Sequence, residues 1–204
     1  METMRFGDLD IVFDDRVLEP RPWTLAQSQW SAELLGAGPP GAVLELFAGV
    51  GHIGLATVTP TARDLVLVDL NPAACDLARR NVAAAGLAGR VDVREGRIDE
   101  VVGPDERFCL IIADPPWVPS AGIAEFPGDP SIAIDGGSDG LDLARTACAV
   151  IDRHLVVGGS AVLQLGTEDQ VAAVDTHLRD DLGSALQVAE VRTFDRGVLV
   201  HLLR

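Results

Sequence analysis

Basic side chains are scarce in this sequence: 16 Lys plus Arg stand against 31 Asp plus Glu, for a formal net charge of −15. Extended wrapping of nucleic acid needs many cationic contacts to phosphate, so this balance argues against it. The one local concentration of base, Arg79, Arg80, Arg90, Arg94 and Arg97, reads as a solvated helix-and-strand face. Cysteine is limited to Cys75, Cys109 and Cys148, with no metal-ligand spacing. One lies in an apolar strand and two in helical patterns, as fits reduced, buried thiols in a cytoplasmic protein. The four histidines are scattered, and none pairs with a cysteine or acid at ligand spacing, so no metal is implied. No apolar run is long enough to span a bilayer and no basic-then-apolar leader opens the chain, so no membrane association is expected. Internal repeats and low-complexity tracts are also missing.

What is present is a chain of 204 residues, 48% of them hydrophobic, enough for one α/β domain with a full core. Residues 1–22 hold only short apolar pieces and suggest a small hairpin or an arm. Thr24 is placed to cap a helix to about Leu35, closed by Gly36. Strands are expected at Ala42–Phe47, Leu65–Val68, Val91–Val93, Phe108–Ala113 and Ala161–Leu165. Between them, Asn71-Pro72 starts a helix to about Ala85, Leu141–Leu155 is helical, and Thr167 with Gln170 makes a capping box for a helix to about Leu182. Leu186–Phe194 and Val198–Leu203 flank a hairpin turn at Asp195-Arg-Gly197. The alternation predicts an α/β, Rossmann-like doubly wound sheet of about seven strands, mostly parallel, with an antiparallel C-terminal hairpin strand. Residues 1–40 would form an N-terminal arm and helix packing on a catalytic domain spanning 41–204.

Two stretches carry chemistry. Phe108–Ala113 is apolar on both faces and ends in Asp114-Pro115-Pro116-Trp117. Two prolines cannot continue a central strand, so a carboxylate, a carbonyl without a ladder role and an indole leave the sheet together at its carboxyl edge. The second stretch is Gly49-Val-Gly51-His-Ile-Gly54, which follows a strand and is itself followed by Asp69 at the end of the next one. That spacing matches the dinucleotide pattern and by itself would suggest NAD. Glu45 points elsewhere: inside the strand before the glycines, an acid suits a cationic amino group better than a pyrophosphate.

Glu45-Leu-Phe47-Ala-Gly49-Val-Gly51 resembles the first motif of class I S-adenosylmethionine-dependent methyltransferases. That resemblance implies S-adenosylmethionine as cofactor, with Glu45 near its methionine end, the glycines beneath it and Asp69 on both ribose hydroxyls. Phe47, Leu70, Arg97, Ile98, Thr24 and Asp114 complete the expected cofactor contacts, and His52 is a further candidate. Asp114-Pro115-Pro116-Trp117 resembles the (Asn/Asp)-Pro-Pro-aromatic motif of methyltransferases that act on planar NH2 nitrogens. Asp114, Pro115 and Trp117 are the expected catalytic residues.

A narrower resemblance spans nearly the whole chain from residue 20. Pro20-Arg-Pro-Trp-Thr24, Asp129-Pro-Ser-Ile-Ala-Ile-Asp-Gly-Gly-Ser-Asp-Gly-Leu141, Gly158-Gly159 and Gln170 look like the HemK-type protein-(glutamine-N5) methyltransferases, which modify the Gly-Gly-Gln motif of translation release factors. Four substitutions depart from that family: Asp114 for its usual Asn, Trp117 for its usual Tyr, Trp23 for an acid, and Arg97 for an Asp near the adenine. Asp99 or a backbone amide would then serve the adenine. Its helical N-terminal domain has no counterpart in these residues. The leading expectation is methylation of a protein glutamine amide, with a release factor as partner. A small amine or amide metabolite is the alternative acceptor, a nucleobase amine suits the acidic charge poorly, and an NAD oxidoreductase or a non-catalytic cofactor-binding module would leave Glu45 and Asp114 incidental.

Overall fold

A computed structural model describes all residues, Met1–Arg204. The chain opens on an antiparallel hairpin, β1 (Glu2–Phe6) and β2 (Leu9–Phe13). A single 3-10 turn then leads into α1 (Leu25–Ala37). From there the order is β3 (Ala42–Leu46), α2 (His52–Val58), β4 (Leu65–Asp69), α3 (Pro72–Ala84), β5 (Val91–Glu95) and β6 (Phe108–Ala113). A short helix α4 (Ser131–Ile134), α5 (Asp142–His154), β7 (Leu155–Leu165), α6 (Glu168–Thr176), β8 (Gln187–Phe194) and β9 (Gly197–Leu203) complete it.

Seven strands form one sheet in the order β5-β4-β3-β6-β7-β9-β8. All neighbouring pairs are parallel except those made by β9, which runs antiparallel to both β7 and β8. This is the expected doubly wound sheet with its one reversed strand. Apolar residues on both faces of the central strands explain it. On one side Leu44, Leu46 and Ile111 pack with Ala147, Ile151 and Val174 from α5 and α6. On the other, Val43, Leu67 and Ile112 pack with Ile53 and Ala78 from α2 and α3. No helix is long and apolar enough to cross a membrane.

The order of the strands positions the site. From β3 the chain moves outward through β4 and β5, then returns to place β6 on the other side of β3. Such a switch point opens a crevice at the carboxyl ends of the strands. The register pairs Leu46 with Ala113, so the glycine loop after β3 and Asp114 after β6 emerge side by side.

Several local expectations need correction. Thr24 occupies the cap position of α1 but its side chain makes no capping bond, because Thr24 Oγ1 donates to the Arg21 carbonyl instead. Gly36 lies within α1, which runs to Ala37. Thr167 does cap α6 by accepting from Gln170 N–H. The reciprocal half of the capping box is absent, since the Gln170 side chain bonds Gly166, Trp117 and Asp139. Gly158-Gly159 forms a bulge inside β7, with the register jumping between Phe108–Leu155 and Leu110–Ser160. The final hairpin closes with only Asp195 and Arg196 in its loop, because Phe194 pairs with Gly197. The residues between β6 and α5 are ordered, tied down where Val118 bridges Asp135.

Candidate functional site

Two cavities open at the carboxyl ends of β3 and β6. The first is lined by the glycine-loop residues Phe47, Gly49 and His52, by Asp69, Leu70 and Asn71 after β4, and by Gly96, Arg97, Ile98 and Asp99 after β5. The second is lined by Pro115, Trp117, Trp23, Phe126, Gln164 and Arg196. Asp114, Pro116, Arg21, Thr24, Leu18 and Ala133 belong to both walls. The carboxyl after β6 thus stands where the chambers meet.

In the first chamber the backbone turns sharply. Phe47, Gly49 and Gly51 all have positive φ, at 58°, 53° and 80°. For Phe47 this is an uncommon, strained conformation of the kind that persists at ligand sites. Asp69 fixes the loop: its Oδ2 accepts from Gly49 N–H at 2.7 Å and its Oδ1 from Asn71 N–H at 2.8 Å. Those bonds leave lone pairs free on a carboxylate that faces the cavity. Gly51 itself does not line the cavity; its Cα lies so close to Leu67 that a Cβ would come within 2.7 Å of Leu67 Cδ1. Its contribution is the approach of α2 to β4.

Glu45 is placed differently from the expectation of a cofactor contact. It is buried, absent from the cavity wall, and accepts Gly54 N–H through Oε2 at 2.9 Å. Burial pushes its carboxyl well above the usual range, against the lowering pull of the Gly54 N–H, and the nearby carboxyls of Asp114 and Asp69 add to the rise. Asp69 is also raised, chiefly by burial against the lowering effect of its backbone N–H partners. Asp114 is pushed up to about 7 by burial alone. No basic side chain forms an ion pair with any of the three. Arg97 is bound to Asp99 at 2.9 Å and Glu100 at 3.2 Å, and Arg21 to Asp129 at 2.5 Å. Three clustered acids without a counter-ion, two of them (Asp69 and Asp114) facing the cavity with spare lone pairs, suit a molecule that brings a cationic centre and hydroxyl donors.

The remaining expected residues fall as follows. Leu70, Arg97, Ile98 and Thr24 line the first chamber, Pro115 and Trp117 the second. Asp99 also lines the first chamber, but it is the ion-pair partner of Arg97. His52 lies edge-on to Phe6, with ring centroids 4.8 Å apart, and its Nε2 is 3.2 Å from Thr24 Oγ1. Burial lowers it to about 4, so the ring is neutral at pH 7.

The second chamber sets unpaired oxygen acceptors beside an indole. Neither the Asp114 carboxyl nor the Pro115 carbonyl oxygen receives a hydrogen bond from the chain. The Trp117 ring packs onto Gly166, where a Cβ would fall 2.5 Å from Trp117 Cε3. Gln170 holds this arrangement by donating to the Trp117 carbonyl at 3.1 Å and accepting from Gly166 N–H at 2.8 Å. Gln27, buried in α1, donates to the carbonyls of Ala113 and Val162 at 3.1 Å each and fixes the ends of β6 and β7. Trp23, Phe126, Gln164 and Arg196 were not singled out from the sequence as site residues. Their separation along the chain hides them, and no motif links them.

A family model described as "Conserved hypothetical protein 95" matches residues 28–126. The chain is 34% identical to the release factor glutamine methyltransferase of Deinococcus radiodurans over 79% of its own length and 59% of that protein's. The release factor glutamine methyltransferase of Geobacter sulfurreducens is 37% identical, over 80% of this chain and 58% of the relative. A ribosomal protein uL3 glutamine methyltransferase of Bradyrhizobium diazoefficiens is 31% identical, over 78% and 53%. The chain thus spans little more than half the length of these curated relatives. Among solved structures, the ribosomal protein L11 methylase of Lactobacillus delbrueckii subsp. bulgaricus superimposes with a TM-score of 0.68, at 15% identity over 92% of this chain and 81% of that one. The hMettl16 catalytic domain gives 0.73, at 14% identity over 97% and 75%. At such identities the superpositions establish the fold. The sequence relatives make the chain similar to part of the glutamine methyltransferases of release factors and ribosomal protein uL3.

Proposed function

We propose that the chain transfers a methyl group from S-adenosylmethionine to a planar NH2 nitrogen, the side-chain amide of a glutamine carried by a protein. One observation carries the reading: two hydrogen-bond acceptors, the Asp114 carboxyl where the chambers meet and the Pro115 carbonyl beside it in the second chamber, bond nothing in the chain. An amide nitrogen is a poor nucleophile because its lone pair is delocalised into the carbonyl. Two acceptors that take both its N–H bonds turn the lone pair toward the first chamber, and orientation of this kind contributes up to roughly 7–11 kcal/mol in favourable cases. Trp117 covers the plane of the amide and excludes water.

Asp69 has lone pairs to spare for ribose hydroxyls, with Phe47, Gly49, Leu70, Arg97, Ile98 and Thr24 forming the walls around the nucleoside. When bound, the cofactor supplies an electrophilic methyl on a cationic sulfur. The cluster of Glu45, Asp69 and Asp114 favours that positive charge. An amide nitrogen sheds a proton on gaining a methyl, and Asp114, titrating near 7, is suited both to accept the N–H bond and to receive the proton. The names of the relatives, all glutamine methyltransferases acting on proteins, support the acceptor class.

Two measurements test this reading. Isothermal titration should show binding of S-adenosylhomocysteine and none of NADH; the reverse sinks it. Labelled methyl from S-adenosylmethionine should then appear on a release factor or uL3. Label that appears only in a pool of cell metabolites would assign the chain to small amines instead.

A further inference from the structure

Resting on the glutamine-amide reading, we propose that Gln164 and Arg196 determine acceptor specificity by gripping the main chain beside the methylated side chain, so that the acceptor is a peptide-borne amide and not a free one. Both residues line the second chamber, away from the cofactor side. Gln164 is 6% exposed and its Nε2 is committed to the Leu165 carbonyl at 2.9 Å. Its Oε1 receives no hydrogen bond from the chain. A buried amide with its donor used and its acceptor free asks for an N–H from outside.

Arg196 offers the complement. It sits in the two-residue loop between β8 and β9, immediately before Gly197, whose Cα is pressed so close to Gln164 Nε2 that a Cβ would not fit. Arg196 forms no ion pair, in contrast to Arg21 on the same wall, which is neutralised by Asp129. Its guanidinium lies 4.9 Å from the centre of the Trp23 ring. A guanidinium laid on an indole face keeps its N–H edges free for oxygen acceptors. One free acceptor on β7 and one free donor group in the loop that leads into the adjoining β9 match the N–H and C=O of a peptide unit. The amide that reacts has its own N–H partners in Asp114 and Pro115, so this second set serves a different part of the acceptor.

The test compares two acceptors, a glutamine-containing peptide taken from a methylated protein substrate and free glutamine, with the wild type, Arg196→Met and Gln164→Met. Arg196→Met should raise KM for the peptide roughly tenfold or more with kcat little changed, as expected for loss of a hydrogen bond from a charged group. Free glutamine should respond to neither substitution. Gln164→Met should act in the same direction, and S-adenosylhomocysteine titration shows that each variant is folded, since neither residue lines the cofactor chamber. Equal losses on both acceptors, or none on the peptide, overturn the inference while leaving methyl transfer intact. Absence of transfer to any glutamine by the wild type overturns the functional reading and this inference with it.

Discussion

The two chambers that meet at Asp114 are made in different ways. The first chamber takes most of its wall from three short runs, residues 47–53, 69–74 and 96–99, each at the carboxyl end of a parallel strand. Loop and strand are consecutive in sequence, so a local pattern of glycines and acids announces the site. The second chamber draws Trp23 from before α1, Trp117 from after β6, Phe126 from the segment that follows, Gln164 from the end of β7 and Arg196 from the final hairpin. Only the folded sheet brings those residues together. On the proposed reading, a binding site for one fixed cofactor can be written locally, whereas a site for the acceptor is assembled from whatever the fold delivers to the same edge.

That contrast can be broken at Asp114, the residue both chambers share. Asp114→Ala should leave S-adenosylhomocysteine affinity near wild type while turnover falls by roughly 10²–10³-fold, the range for removing a well-placed polar group. A matching fall in cofactor affinity would place Asp114 in the first chamber only. Its ionisation supplies a second readout. Because burial pushes Asp114 up to about 7 from an unfolded value of 3.8, the folded protein binds this proton more tightly than the unfolded chain. Stability should therefore fall as pH rises from about 4 to about 7 and level off above, by no more than about 4 kcal/mol from this group. Asp114→Asn should remove that part of the slope in thermal melts recorded from pH 4 to pH 8.

The cofactor side is tested at Asp69. Asp69→Ala removes the acceptor for Gly49 and Asn71 N–H and the free lone pairs facing the cavity. A loss of roughly 100-fold in S-adenosylhomocysteine affinity is expected from two charge-assisted bonds. Unchanged affinity would remove Asp69 from the ribose. The packing of this wall is probed by Gly51→Ala, where φ is 80° and the new Cβ meets Leu67. Denaturant unfolding should show about 2 kcal/mol of lost stability, from strain and overpacking together.

The smallest effect concerns the roof of the acceptor side. Arg21 and Asp129, 108 positions apart in the chain, pair on the wall of the second chamber with side chains 27% and 22% exposed. A double-mutant cycle should give a coupling energy of about 1 kcal/mol, typical of a partly screened pair. The same cycle read on peptide KM would show whether this tie belongs to the acceptor chamber alone.

Much of the fold was legible because its signals are short-range. Apolar runs such as Phe108–Ala113, punctuated by glycine and proline, report strands that are covered on both faces. Asn71 before Pro72 reports a helix start, and its side chain does accept Ala73 N–H. Where reading failed, a side chain had two partners to choose between. Thr24 turned from the helix it precedes toward Arg21, and Gln170 left its capping box for Trp117 and Gly166. Glu45 is the sharpest instance. Its position in the strand marked it as unusual, but its carboxyl bonds Gly54, in the first turn of α2, and stays behind the cavity wall.

The sequence by itself determined that a doubly wound sheet carries a glycine loop after one strand and Asp114-Pro115-Pro116-Trp117 after another, because strand burial and chain reversal depend on neighbouring residues. The tertiary structure alone decided that these two loops share an edge, since the strand order places β6 beside β3 although 61 residues separate Leu46 from Phe108 in between. It also decided which polar groups are left without partners. Whether the oxygen of Asp114, Pro115 or Gln164 is free depends on every donor that the rest of the chain brings near it, and that is a property of the packed molecule.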